Sequence, residues 1–413
     1  MQRTSPEQVR GAGHHDMREL NRSLVLGMIK EQSPISRAAI ARSASLAKPT
    51  VSAIVEDLIT EGVVREIGRG EAASVGGRPP ILLEYNAGSQ IVVGVHVGAT
   101  KTTVVVADGA AVERGRKQFK TPQTDGAAAI RRISKEIVKA VDSSGAELAR
   151  VGAIGVVVPG MTDFHAGVCL LAPNLGWTDL PIRDLMTAEL DRPVFVHHLG
   201  QAAAVAENLE GAGGQVSEMT LLYTGTGLGL GVISNGKVFH GAGGTTGEIG
   251  HCHIPGQTEL CTCGRIGCLE TVGSARAIVH LAEAAMKSGA ESVLHAHPAD
   301  VPLTAAVVAQ AAADGDVVAL DAVTQVARNL GIGASWVLNL YNPEVLVVGG
   351  GLAEMGELLL DPIRAEVAVH ALDPARRKAE IRLSQLGQDA EVRGAVLLAL
   401  QHSSTSYRLV FEG

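Results

Sequence analysis

The sequence predicts an α/β chain carrying a small, mainly helical head, and two observations lead to that class. From Gly88 onward, runs of β-branched and aliphatic residues alternate with helical segments, the pattern of strands layered with helices. Before Gly88, three short helical stretches precede two brief strand candidates. At 413 residues and 46 % hydrophobic content, the chain has enough apolar material for two or three domains, each with its own core.

In the head, Leu20, Leu24, Met28 and Ile29 recur at helical spacing, and Ser33-Pro34 stops that helix. Ser36 has the chemistry of an N-cap for a second helix carrying Ala39, Ile40 and Ala41. A break from Ser43 to Leu46 precedes a third helix, Lys48 to Glu61, which Gly62 ends. Its stripe of Val51, Ile54, Val55, Leu58 and Ile59 faces inward, leaving Lys48, Thr50, Ser52 and Ala53 towards the exposed N-terminal end. Helix, tight turn, helix is the arrangement that lays a helix in the major groove of DNA, so Lys48, Thr50 and Ser52 are candidate contacts to base edges and phosphates. Strands Val63 to Ile67 and Ile81 to Tyr85 follow, joined by a loop with Gly68, Arg69, Gly70, Gly76, Gly77, Arg78 and Pro79. That loop makes a wing, the head becomes a winged helix-turn-helix, and Arg69 and Arg78 become candidates for a minor groove. A three-helix packing module without a DNA role is the alternative.

The body opens with strands Ile91 to Val97 and Thr103 to Ala107, followed by a helix around Ala127 to Val141 and a buried strand Val151 to Val158. Further strands are expected at Pro193 to His197, Met219 to Tyr223 and Val345 to Val348, and a last helix at about Glu391 to Gln401. Residues 1–87 carry 11 Lys and Arg against 10 Asp and Glu, so the remainder holds a net charge of −9 out of the chain's −8. A near-neutral head on an acidic body suits a nucleic-acid contact confined to one end. No apolar run reaches bilayer length, and Met1 to His15 lacks the apolar core of a secretion signal, so a soluble, cytoplasmic protein without membrane contact is expected.

His251, Cys261, Cys263 and Cys268 are the most informative residues, with the spacing His-x9-Cys-x-Cys-x4-Cys. One imidazole nitrogen and three thiolates complete a closed tetrahedral zinc shell, which leaves no open position for an activated water and makes the ion structural. Disulfides or a cluster of buried thiols are the alternative, and Cys252, beside His251, competes as a ligand.

The segment Gly247-Glu248-Ile249-Gly250-His251, then Cys261-Thr262-Cys263-Gly264, then Gly267-Cys268-Leu269-Glu270 closely resembles the zinc and sugar loop of the ROK family of repressors, open reading frames and kinases. The resemblance implies that Glu248, His251 and Glu270 contact sugar hydroxyls. Carboxylates each accept two hydroxyl hydrogen bonds, and a metal-bound histidine presents its second nitrogen in a defined direction. Pro159-Gly160 and Pro173-Asn174-Leu175-Gly176-Trp177 look like the family's hinge-side sugar loops, with Asn174 offering an amide to hydroxyls and Trp177 anchoring the core. The run Asn21-Arg22 through Thr50-Val51-Ser52 to Gly77-Arg78-Pro79 resembles the head of ROK repressors, which the family's sugar kinases lack.

The architecture so implied has a tail at 1–16, the winged helix-turn-helix at 17–87 and a two-lobed, actin-like body. Its first α/β lobe spans 88–198 and is completed by a C-terminal helix at about 390–413; the second, 199–389, bears the zinc loop and a dimer surface.

Val97-Gly98-Ala99-Thr100, Gly225-Thr226-Gly227-Leu228-Gly229 and Val348-Gly349-Gly350-Gly351 match the family's nucleotide machinery in outline, although glycine pairs also make ordinary strand-to-helix turns. His96 stands where ROK kinases have an aspartate before the first loop glycine, and His198-Leu199 stands where they have Asn-Asp. That aspartate is the kinases' base. Leucine accepts no proton, and general-base catalysis contributes about 10²–10⁴-fold. His198 reads as a polar sugar contact or as a packed core histidine. The expectation is a sugar-responsive DNA-binding transcriptional regulator, in the first instance a repressor, without catalytic residues. Its partners are operator DNA and a small-molecule sugar or sugar derivative, and it assembles as a homodimer or homotetramer. The alternatives are an active sugar kinase with a fused DNA-binding head, and a ligand-independent regulator controlled by a protein partner.

Overall fold

The computed structural model describes residues 14–70 and 79–403. The head packs α1 (His14–Gln32), β1 (Ile35–Ser36), α2 (Arg37–Ser43), α3 (Lys48–Thr60), β2 (Val64–Arg69) and β3 (Ile81–Tyr85), with the strands in the order β1-β3-β2. Ser36 caps α2 as its chemistry requires, its Oγ accepting the Ala39 N–H at 3.2 Å. Pro49 sits in the first turn of α3, and Gly62 closes that helix at φ +75°.

The apolar stripe expected along α1 is corrected in part. Leu20 is 53 % and Leu24 41 % exposed, while Val25, Leu26 and Ile29 enter the core with Val51, Val55, Leu58 and Leu83. Both faces of this helix carry leucines, and the partner surfaces of α3 and β3 decide which one is buried. Strand β2 also runs on to Arg69, so Gly68 and Arg69, expected in the loop, belong to the strand, which shifts register at Gly68. Gly76, Gly77 and Arg78 lie outside the described residues.

The first sheet of the body has the order β11-β7-β4-β5-β6. It comprises β4 (Ile91–Val97), β5 (Lys101–Asp108), β6 (Glu113–Lys120) and β7 (Val151–Val158), which α4 (Gly126–Ser143) covers. A small sheet of β8 (Met161–Asp163), β9 (Val168–Ala172) and β10 (Trp177–Leu180) precedes α5 (Ile182–Leu190) and β11 (Val194–His198). Strand β6, not foreseen, reads Glu-Arg-Gly-Arg-Lys-Gln-Phe-Lys; as an edge strand with no deeply buried residue it needs no apolar run.

Helix α6 (Leu199–Glu210) leads to the second sheet, ordered β14-β13-β12-β15-β16. Its strands are β12 (Met219–Thr224), β13 (Leu228–Ser234), β14 (Lys237–Val238), β15 (Val345–Gly349) and β16 (Glu380–Leu383). Helices α7 (Leu269–Gly273), α8 (Ala275–Lys287), α9 (Ala305–Ala313), α10 (Val317–Tyr341), α11 (Glu357–His370) and α12 (Asp373–Arg376) accompany it. The last helix, α13 (Ala390–Ser403), returns to the first sheet, packing on β4 and β7 and on α6. Contact there is backbone to backbone: a Cβ at Gly155 would lie 2.1 Å from Ala395 O, and one at Gly394 2.1 Å from Ala202 O. Only glycine permits that approach. Among the described residues, no helix is long and apolar enough to cross a membrane.

Candidate functional site

The loop after β14 brings together the four donors singled out by spacing. One ligand atom from each of His251, Cys261, Cys263 and Cys268 lies within 4.8 Å of the others. Cys261 Sγ is 3.7 Å from His251 Nδ1, and Cys263 Sγ is 3.7 Å from Cys268 Sγ. A tetrahedral ion about 2.3 Å from each sulfur sets neighbouring sulfurs about 3.8 Å apart, so the donor set fits a closed four-coordinate shell. Local backbone pairing builds it: Cys261 N donates to Arg265 O at 2.7 Å, Ile254 N to Gly267 O at 2.8 Å, and bridges join His253 to Cys268 and Leu260 to Ile266. Burial and the neighbouring Cys263 and Cys261 push the Cys268 thiol up to about 12, and a bound cation would favour its thiolate. The described cysteines are unbridged; Cys252 is exposed and outside the group, and Cys169 is buried in the first-sheet core.

The same histidine connects the shell to a cleft. With Nδ1 beside the thiols, His251 Nε2 faces Glu248 Oε2 at 3.8 Å. The cleft, about 180 Å³, lies between the two sheets and is lined by His96, Asn174, His198, Glu248, His251 and Glu270 among others. All five sequence-predicted sugar contacts are therefore on one cavity. Trp177 is buried in the core, as its anchoring role requires.

Each polar group has a defined role in the cleft's electrostatics. Glu270 lies in the first turn of α7 and is 7 % exposed; Leu228 N donates to its Oε2 at 3.1 Å, and Arg276 Nη2 lies 3.3 Å from Oε1. Burial and the Glu270 charge push the Glu248 carboxyl up to about 7. His198, at the end of β11, accepts Gly200 N–H through Nδ1 at 3.2 Å and points Nε2 at Glu248 Oε1, 3.9 Å away. Burial holds its pKa down to about 4. It is both polar lining and well packed, so the two readings of His198 are not exclusive. Leu199, next along the chain, also lines the cleft. His96 is held down to about 4 by burial and by Lys101, and its Nε2 has no hydrogen-bond partner among the described residues.

Sequence reasoning missed Tyr223, which lines the cleft and whose hydroxyl donates to Glu391 Oε1 at 2.7 Å. Its place just before Gly225-Thr226-Gly227 was a usable signal; Glu391, 168 residues away, offered none. In the head, Lys48, Ser52 and Arg69 are exposed and Thr50 is half-buried, all on described backbone. Arg18–Asp57 at 2.7 Å and Arg22–Glu61 at 2.5 Å tie α1 to α3.

The model of the ROK family matches residues 92–402. The chain is 32 % identical over 391 residues to a xylose repressor of Caldicellulosiruptor bescii, covering 94 % of this chain and 97 % of that one. To a glucokinase of Halalkalibacterium halodurans it is 35 % identical over 319 residues, covering 76 % of this chain and 96 % of the kinase. The crystal structure of a ROK family transcriptional regulator, a homolog of the E. coli MLC protein, superposes with a TM-score of 0.83 at 27 % identity, over 95 % of this chain and 98 % of that one. On the strength of the family match and of relatives that run nearly its full length, this chain belongs to the ROK family.

Proposed function

We propose that this chain is a sugar-responsive, DNA-binding transcriptional regulator, acting as a repressor of carbohydrate metabolism genes. The observation that carries the reading is the pairing of a sugar-type cleft with a leucine where the family's kinases keep their base: Glu248, Glu270, His251, His198 and Asn174 converge, and Leu199 stands among them. The xylose repressor resembles the chain through head and body alike, whereas the glucokinase resembles three quarters of it. In this reading residues 17–87 form the DNA-binding head, with Lys48, Thr50, Ser52, Arg69 and Arg78 towards operator DNA. Residues 88–198 with about 390–413 form the first lobe, and 199–389 the second, bearing the surface through which a homodimer or homotetramer assembles. The protein acts in the cytoplasm.

The His251, Cys261, Cys263 and Cys268 shell takes a structural zinc ion. The ion, when bound, supplies rigidity: it holds the loop that carries Glu248 and Glu270 and fixes the ring of His251 so that Nε2 faces the cleft. Glu248 and Glu270 accept sugar hydroxyls, and Asn174 offers both a donor and an acceptor. His198 donates, because a ring whose Nδ1 accepts a backbone N–H keeps its proton on Nε2. For the same reason it takes no proton from a sugar hydroxyl, so it does not replace the missing base. Incubated with ATP, magnesium and its tightest-binding monosaccharide, the protein is expected to yield no sugar phosphate above background; turnover abolished by His198→Gln would establish the kinase instead.

The sensing role is tested at Glu270. In Glu270→Gln the Leu228 N–H keeps an acceptor, but the carboxylate that receives hydroxyls is gone, at about 1–3 kcal/mol per lost partner. Operator affinity without sugar is expected to stay at the wild-type level. The sugar concentration that half-shifts it should rise by about 5- to 150-fold. Superimposable wild-type and variant titrations would remove the zinc loop as the sensor.

A further inference from the structure

The turn joining β5 to β6, residues 108–112, is built more firmly than a surface hairpin needs. The Asp108 carboxylate is buried; its Oδ1 accepts Ala110 N at 2.9 Å and Val112 N at 3.1 Å, and its Oδ2 pairs with Arg114. Ala111 is held in the left-handed region at φ +60°, a conformation unfavourable for a residue with a Cβ that persists where surrounding contacts over-determine it.

On one side this turn grips the head. Gly109 N donates to Ala87 O at 3.0 Å, and a Cβ at Gly109 would lie 2.0 Å from the Tyr85 hydroxyl oxygen and 3.1 Å from Gln90 Oε1. Tyr85 ends β3, donates to Gln90 Oε1 at 2.9 Å, and carries Lys30 Nζ of α1 over its ring at 4.6 Å. Residues 86–90, which join β3 to β4, are thus docked on the body, with Arg150 reaching Gly88 O at 3.1 Å.

On the other side the turn is tied to the helices that reach the cleft. Ala111 O accepts from Arg393 Nη1 of α13 at 2.7 Å, and the same guanidinium pairs with Glu210 at the end of α6 at 2.6 Å. Near the start of α13, Glu391 accepts from Tyr223, which lines the cleft, and α6 begins there at Leu199. With Gly394 pressed on the Ala202 backbone, α6 and α13 pack as one closely fitted pair.

We propose that this turn is the coupling element of the regulator: movement of the α6–α13 pair on sugar binding is passed by Arg393 to Ala111 and Gly109, and so to Tyr85 and the head. The inference rests on the regulator reading above. Gly109 and Arg393 are positioning residues: neither lines the cleft or belongs to the head.

The test uses full-length wild type, Gly109→Ala and Arg393→Met. The DNA probe is a duplex that wild type selects from a random pool, and the sugar is whichever of D-xylose, D-glucose and N-acetyl-D-glucosamine most raises its melting temperature. Sugar affinity is read by calorimetry, and operator affinity with and without saturating sugar by titration. Both variants should bind the sugar within about twofold of wild type, while the ratio of the two operator affinities falls from the 5- to 150-fold usual for coupled sites to below about twofold. A wild-type ratio in either variant overturns the proposal, as does weakened sugar binding in Arg393→Met, which would make Arg393 part of the cleft. Should Gly109→Ala not fold, Arg393→Met decides alone. A wild type whose operator affinity ignores all three sugars removes the regulator reading, and the coupling with it.

Discussion

Cys268→Ser is expected to release the metal and, with it, most of the sugar affinity. Cys268 is 1 % exposed and is the residue immediately before α7, whose second residue is Glu270. A single shell therefore anchors Glu270 from one end of the loop and His251, with Glu248 three residues earlier, from the other. Structural zinc in small peptide sites contributes about 10–16 kcal/mol of folding free energy, so removing one ligand is expected to loosen the loop that positions these carboxylates. Losing two hydroxyl partners costs about 3 kcal/mol, or about a hundredfold in sugar affinity. The wild type purified without chelator should carry one zinc ion per chain by elemental analysis, and calorimetry should show the hundredfold loss in the variant. A metal content near zero in the wild type, or unchanged sugar binding in a metal-free variant, would show that the loop is held by other means.

Acidification from pH 7.5 to 5.5 is expected to destabilise the fold by about 4 kcal/mol. Three histidines are buried neutral: burial holds His96 down to about 4 and His198 to about 4, and burial together with His402, His240 and Arg183 holds His197 to about 3. The unfolded chain protonates each near 6.5, so below that pH the unfolded state binds more protons and stability falls as pH falls. At pH 5.5 each group contributes about 1.4 kcal/mol of loss, and above pH 7 almost none. His240, held down to about 4 by burial and by His165, acts in the same direction, and the raised Glu248 carboxyl, which takes up a proton on folding, acts in the opposite one by about as much. The melting temperature should drop by about 5 °C across the window. His197→Asn isolates the effect from acid release of metal, because it should remove about 1.4 kcal/mol of the dependence while leaving the shell intact. A melting temperature flat between the two pH values would contradict the burial argument.

Much of this protein was legible in its sequence, and the legible parts share one property. The four candidate metal donors fall between residues 251 and 268, where short backbone bridges and glycine turns bring them together, so spacing alone singles out the cluster. The third helix, its buried stripe of Val51, Ile54, Val55 and Leu58, and the Ser36 cap follow from 3.6-residue periodicity and local hydrogen bonding. Val151–Val158 was found to the residue because a strand buried on both faces must be a continuous apolar run.

Other features were decided only by the folded chain. Which face of α1 is buried depends on α3 and β3, since both faces carry leucines. Strand β6 exists because β5 offers it an edge, whatever its own composition. The Tyr223–Glu391 bond, the Arg393 tie to Ala111 and the seat of Tyr85 over Gly109 join residues far apart in the chain, and no local pattern encodes such pairs. The same holds for protonation. A histidine's ring chemistry is in the sequence, but the displacement of His96, His197 and His198 towards neutrality comes from the water excluded when the chain packs around them. Local order is written in neighbouring residues, whereas burial and long-range pairing are properties of the packed whole.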